Sequence, residues 1–152
     1  MPTVEADAIV HADVDMVYEF AKDAERYIEF LKDVESIRII KQEGNERLTE
    51  WVAVIPTLQR RVRWVERDRW DDVKKMCQFE MIEGDIDSYS GTWRFEEHPD
   101  GTRMVLTVNY EYNVPLIGPL LQRVVWMAMN VNVRSILDGV KQAVEASKSL
   151  NH

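Results

Sequence analysis

The residues that could do chemistry in this 152-residue chain are few and scattered. Its three histidines, His11, His98 and His152, share no metal-ligand spacing, and no Cys/His cluster exists. A zinc site needs such donors in convergent sets, so neither a metal nor another cofactor is expected. The glycines stand apart at 44, 84, 91, 101, 118 and 139, so there is no glycine-rich phosphate loop. No nucleophile elbow occurs either. Cys77 alternates with Phe79 and Met81 and reads as a buried apolar residue rather than a catalytic thiol. Asp85 and Asp87, beside Gly84, read as a polar loop rather than a carboxylate pair. Arg60, Arg61, Arg63, Arg67 and Arg69 cluster, which leaves a local anionic contact open.

The positive signal is aromatic. Tyr89, Gly91, Trp93 and Phe95 share one face of a strand-like run, and Tyr110 and Tyr112 share a face of the next. These rings either form plain core or line a cavity. Gly91 would leave a gap among large rings. Ligand pockets are mostly apolar with a few placed polar groups, and Asn132, on an otherwise apolar helix line, would supply one. A cavity bordered by Tyr89, Trp93, Phe95, Tyr110, Met129 and Asn132 is the expectation.

That helix is the element the rest must position. From Pro115 to Lys148 the chain has its longest breaker-poor run. A polar line of Arg123, Asn130, Arg134, Asp138, Lys141 and Glu145 opposes an apolar line through Leu121, Val125, Met129, Asn132, Ile136, Gly139 and Ala143. This is an amphipathic pattern with a broad buried face. Gly139 costs about 1 kcal/mol in a helix interior, so a close approach to a neighbouring element is expected there. Leu116, Leu120 and Met127 project beside the polar line and make the first half of the helix apolar nearly all round. They form a gate contacted by the Ile55-Pro56-Thr57-Leu58 loop, a homodimer contact, or a stripe covered by the protein's own loops.

Ahead of the helix, Val4 to Val10 alternates as a strand. Asp13 can cap a helix beginning at Val14, and Ala24 to Leu31 reads as a second short helix. Strand patterns follow at 34–41, 48–55, 60–70, 74–82, 89–96 and 102–114, separated by turn residues such as Gly44-Asn45 and Pro99-Asp100-Gly101. The order βααββββββα, with short connections, predicts an α+β fold: an antiparallel sheet covered on one face. The simplest arrangement curls that sheet round the long helix.

Length and composition suit one ordinary domain, residues 1–152. A net charge of −8 and pI near 4.9 argue against nucleic acid, whose binding rests on basic patches. One cysteine permits no internal disulfide, and the N-terminus lacks the apolar segment of a secretory signal. No run approaches a membrane span. A cytoplasmic location is expected.

Several stretches together resemble the START-like superfamily, in particular its polyketide cyclase/dehydrase and coenzyme-Q-binding branch. They are Ile9 to Tyr18 with Asp23, Glu83-Gly84 followed by Ser90 to Phe95, Gly101 to Met104, and Asn132 to Lys141. The resemblance covers nearly everything from Val4 to Ala146. It implies a helix-grip fold enclosing an apolar cavity, in proteins that carry or sense lipids, bind small hydrophobic molecules, or cyclise polyketide chains. Lining up on Trp93 and Gly84 places the family's strand arginine at Arg67 and one pocket aromatic at Trp93. The family's serine position then holds Val65 and its tyrosine position Val34, which removes two polar groups that cyclisation would use. Strand alternation meanwhile turns Trp64 inward and Arg67 outward, unless a bulge intervenes.

Three readings follow. The leading one is a carrier or sensor of a hydrophobic small molecule. The second is a polyketide aromatase/cyclase or dehydratase with Arg67 as its candidate catalytic residue. The third is an interaction module with a filled core.

Overall fold

The computed structural model describes residues 2–113 and 118–150. Seven antiparallel strands form one sheet: β1 (Thr3–Val10), β2 (Val34–Glu43), β3 (Glu46–Ile55), β4 (Arg60–Asp71), β5 (Met76–Gly84), β6 (Ser88–His98) and β7 (Gly101–Glu111). Their spatial order is β1-β7-β6-β5-β4-β3-β2. Strands β2 to β7 are consecutive antiparallel neighbours, and β1 pairs with β7 from Thr3↔Asn109 to Val10↔Thr102. The helices are α1 (Val14–Lys22) and the long α2 (Pro119–Leu150). This is the helix-grip architecture implied by the sequence.

Helix α1 starts where Asp13 accepts a hydrogen bond from the Met16 amide at 2.9 Å, satisfying one of the donors that every helix start leaves free. It buries Val17, Tyr18 and Ala21. The stretch expected to be a second helix is instead two 3₁₀ turns, Ala24–Arg26 and Ile28–Phe30. A 3₁₀ turn aligns residues three apart; here that row is Ala24, Tyr27 and Phe30, of which Ala24 and Tyr27 are buried. Placing that pair inward suits the tighter spiral as well as it would an α-helix.

Helix α2 lies along β1, α1 and the second 3₁₀ turn. Val133, Leu137, Val140 and Val144 are fully buried beneath it. A Cβ on Gly139 would sit 2.5 Å from Leu31 Cδ2 and 3.7 Å from Phe30 Cβ, so the expected close approach is to the short helical segment. Gly91 leaves no gap. A Cβ there would meet the Thr107 carbonyl oxygen at 2.0 Å and the Phe79 ring at 2.6 Å. The missing side chain makes room for Phe79, not for a ligand.

Strand β4 decides which residues face the interior. Val62, Trp64, Glu66, Asp68 and Trp70 are all buried on its inner side. The register does slip, but on the neighbour: Val65 pairs with Glu83 and Glu66 with Met81, leaving Ile82 of β5 as the extra residue. A bulge in β5 does not interrupt the alternation of β4. Arg61, Arg63, Arg67 and Arg69 therefore point outward, into ion pairs with Glu35, Glu50, Glu46 and Glu80. Four of the five clustered arginines are matched there by carboxylates, and Arg60 donates to the Tyr112 hydroxyl at 3.4 Å.

Candidate functional site

The first half of α2 does not lie flat on the sheet. Between it and the β3–β4 end is a cavity of about 680 Å³. Ala53, Ile55, Val62 and Trp64 form the sheet wall, and Val125, Ala128 and Met129 the helix wall. Pro56 and Thr57 of the 3₁₀ turn after β3 line the same space as Met127 of α2. Its polar lining residues are Lys32, Asp33, Thr57, Tyr112 and Asn132. Asn132 is half-buried.

The residues singled out from the sequence divide between this cavity and the core. Met129 and Asn132 line the cavity, as does Met127. Tyr89, Trp93, Phe95 and Tyr110 do not; each is at most 7% exposed. Tyr89 lies between Trp64 and Phe79, with ring centroids 5.0 and 5.7 Å away. Trp93 stacks on Phe95 at 5.8 Å, and Tyr18 of α1 meets Phe95 edge-on at 5.5 Å. Helix α1 occupies the space above β6 that a ligand would need. Leu120 is 76% exposed and Met127 55%, with Trp126 and Val131 exposed beside them. Leu116 lies outside the described residues. Arg67 pairs with Glu46 at 3.0 Å and Glu80 at 3.9 Å on the outer face.

A second hollow, of about 30 Å³, lies under α1 and the 3₁₀ turns, room for about one water. Its walls include Tyr27, Thr49, Trp51, Glu66, Asp68, Trp70 and Trp93. Here sequence reasoning missed the most polar feature of the interior. Trp64 Nε1 donates to Glu66 Oε1 at 2.9 Å, and Thr49 Oγ1 donates to Asp68 Oδ2 at 2.6 Å. Glu66 and Asp68 are buried neighbours on this face, and each acts on the other's carboxyl. Burial pushes the Glu66 carboxyl well above the usual carboxylate range, and the neighbouring Asp68 charge adds to it. Asp68 is raised too, chiefly by burial, although its hydrogen bonds and Arg47 act the other way. Two adjacent buried carboxyls cannot both ionise cheaply, so such a pair keeps a proton. The available signal was the alternation Val62-Trp64-Glu66-Asp68-Trp70, which puts both acids on the face of the tryptophans.

Among the described residues, no three His, Cys, Asp or Glu side chains converge as a metal site. No helix there is long and apolar enough to cross a membrane. Cys77 is buried, and burial raises its thiol far above the ordinary value.

Over 96% of its length the chain superposes on 99% of TTHA0849 from Thermus thermophilus, with a TM-score of 0.90 and 40% identity. The Zhui aromatase/cyclase of Streptomyces sp. R1128 shares the fold, with a TM-score of 0.84, 18% identity, and coverage of 95% and 93% of the two chains. A Streptomyces cyaneus protein named "Putative polyketide cyclase" is 29% identical over 108 residues, 70% of each chain. The model of one protein family matches residues 10–137, most of the sheet and the helix gripped by it. With the curved antiparallel sheet and long C-terminal helix already described, that match assigns the chain to the polyketide cyclase / dehydrase and lipid transport family.

Proposed function

We propose that this protein binds one hydrophobic small molecule, such as a lipid, quinone or polyketide-like compound, and acts as its carrier or sensor. The observation that carries this reading is the 680 Å³ cavity with aliphatic and indole walls. Small-molecule sites fall in the range of about 300–1,000 Å³ and pair apolar walls with a few polar groups. Here those groups include Lys32, Asp33 and Asn132. An apolar molecule carrying a hydroxyl or carbonyl oxygen would bury its body against Met129 and Trp64 and offer that oxygen to the Asn132 amide. The chemistry required is burial and one or two hydrogen bonds, with no covalent step.

The test is native mass spectrometry of gently purified protein with extraction of any bound molecule, alongside titration with the neutral dye Nile red. Met129→Trp should fill part of the cavity and weaken dye binding while the protein stays folded. Parent protein that carries no extractable molecule and takes up no dye would refute the reading.

A second reading, cyclisation or dehydration of a polyketide chain, is favoured by the names of the aromatase/cyclase and cyclase relatives. Arg67 would have to stabilise an enolate in it. Its guanidinium is engaged with Glu46 and Glu80 on the far side of the sheet. Lys32 and Asp33 line the cavity itself, and the buried Glu66 lies one hydrogen bond behind Trp64.

A further inference from the structure

The two hollows are separated by a pair of indoles. Trp64 lines the large cavity and Trp51 the small chamber. Their rings stack with centroids 5.7 Å apart and planes 5° from parallel. Behind this partition lie two buried hydrogen bonds on adjacent acids. Trp64 Nε1 donates to Glu66, Asp68 accepts from Thr49, and the two carboxyls lie next to each other between these bonds. Trp64, Glu66, Asp68 and Thr49 are each at most 7% exposed. Trp70, which lines the chamber, is 8% exposed, and its Nε1–H has no acceptor among the described residues.

We propose that Glu66 and Asp68 are positioning residues that hold the Trp51–Trp64 partition in place and so set the length of ligand the cavity admits. The inference rests on the cavity being a ligand site. Opening the partition would join the chamber to the cavity and bring the far end of a longer ligand under Trp70, whose N–H suits an oxygen.

Apolar residues at these two positions would fill the same space at less desolvation cost, but they would give the Trp64 N–H no acceptor. Buried polar pairs are often neutral or costly for stability, so their worth here is the orientation they impose on Trp64. The arrangement depends on a proton between the two carboxyls, because adjacent negative charges repel strongly in a dry interior. The groups that face the pair are Tyr27 from the 3₁₀ segment, Arg47 and Thr49 from β3, Cys77 from β5 and Tyr89 from β6. Lys22 of α1 also lines the chamber, but its ammonium is paired with Asp72 at 3.1 Å. Of these neighbours Thr49 and Arg47 oppose protonation of Asp68.

The experiment measures displacement of Nile red by linear primary alcohols of increasing length, from hexanol to hexadecanol. In the parent protein, affinity should rise about fourfold per methylene until the chain reaches the partition, then level off. Glu66→Leu removes the acceptor of Trp64 and should move that plateau to longer alcohols. Glu66→Gln can still accept from Trp64 and stays uncharged beside Asp68, and should keep the parent's plateau. A Glu66→Leu plateau equal to the parent's, or a Glu66→Gln plateau as long as that of Glu66→Leu, overturns the proposal. Should Glu66→Leu fail to fold, the parent and Glu66→Gln are compared at neutral and alkaline pH. A plateau that lengthens at alkaline pH in the parent alone supports the proposal; any other result overturns it. A parent that binds neither dye nor alcohol refutes the ligand cavity itself, and the partition's role with it.

Discussion

A Cβ added to Gly91 would lie 2.0 Å from the carbonyl oxygen of Thr107 on the adjacent strand. The obstacle is backbone in the middle of the β6–β7 ladder, where Gly91 pairs with Val108. Backbone there moves only if the sheet moves. Gly91→Ala should therefore destabilise the protein by at least the roughly 1–3 kcal/mol typical of overpacking. Denaturant unfolding would detect it as a lower midpoint at unchanged slope.

Gly139 presents the opposite kind of neighbour. Its added Cβ would meet Leu31 Cδ2 at 2.5 Å, the far end of a side chain that is only partly buried and can turn. The helix-propensity gain of about 1 kcal/mol offsets that rearrangement. Gly139→Ala should change stability by less than about 1 kcal/mol in either direction. A larger loss in chemical denaturation would show that Leu31 is pinned.

The buried acids give stability a pH dependence of definite sign. Folded Glu66 and Asp68 both have carboxyls raised above their usual range, so the folded state keeps a proton that the unfolded chain releases. Their contribution is complete below the ordinary carboxylate range and is lost as pH rises toward the raised folded value. The slope is at most about 1.4 kcal/mol per pH unit for each proton involved. Glu66→Gln should flatten this decline above the ordinary carboxylate range, measurable as thermal midpoints at stepped pH. A parent whose stability climbs with pH through that window would contradict the sign.

Cys77 should resist modification. It is 1% exposed, and burial beside Asp68 and Glu66 disfavours the thiolate, the reactive form. Alkylation by iodoacetamide should proceed at the rate of unfolding, and should become fast once denaturant is present. Rapid labelling of the native protein would show a path to the core.

The exposed start of α2 is expected to govern entry to the cavity or pairing between two copies. Leu120 is 76% exposed, and Met127 lies beside Pro56 and Thr57 at the cavity. Contiguous exposed apolar surface marks interaction sites. Leu120→Glu with Met127→Glu should slow Nile red uptake or dissociate a dimer in sedimentation experiments. If both readouts match the parent, the stripe has neither role.

Sequence periodicity by itself determined the seven strands, the capped helix at Asp13 and the long C-terminal helix, because alternation and 3.6-residue spacing are local properties of a chain that must bury one face. It also placed Trp64 inward and Arg67 outward through the alternation of β4. Only the tertiary structure decided that the register slip belongs to β5, at Ile82, which is what leaves that alternation unbroken. The location of the hollow was likewise a tertiary matter. Tyr89, Trp93, Phe95 and Tyr110 share faces with one another in sequence, but Tyr18 of α1 occupies the space over Phe95 and Trp70. The open volume is left over the β3–β4 end, where the first half of α2 stands off from Ala53 and Val62. Periodicity assigns a residue to a face. Whether that face meets a helix, a void or a second acid depends on elements distant in sequence, and for Glu66 and Asp68 the answer was each other.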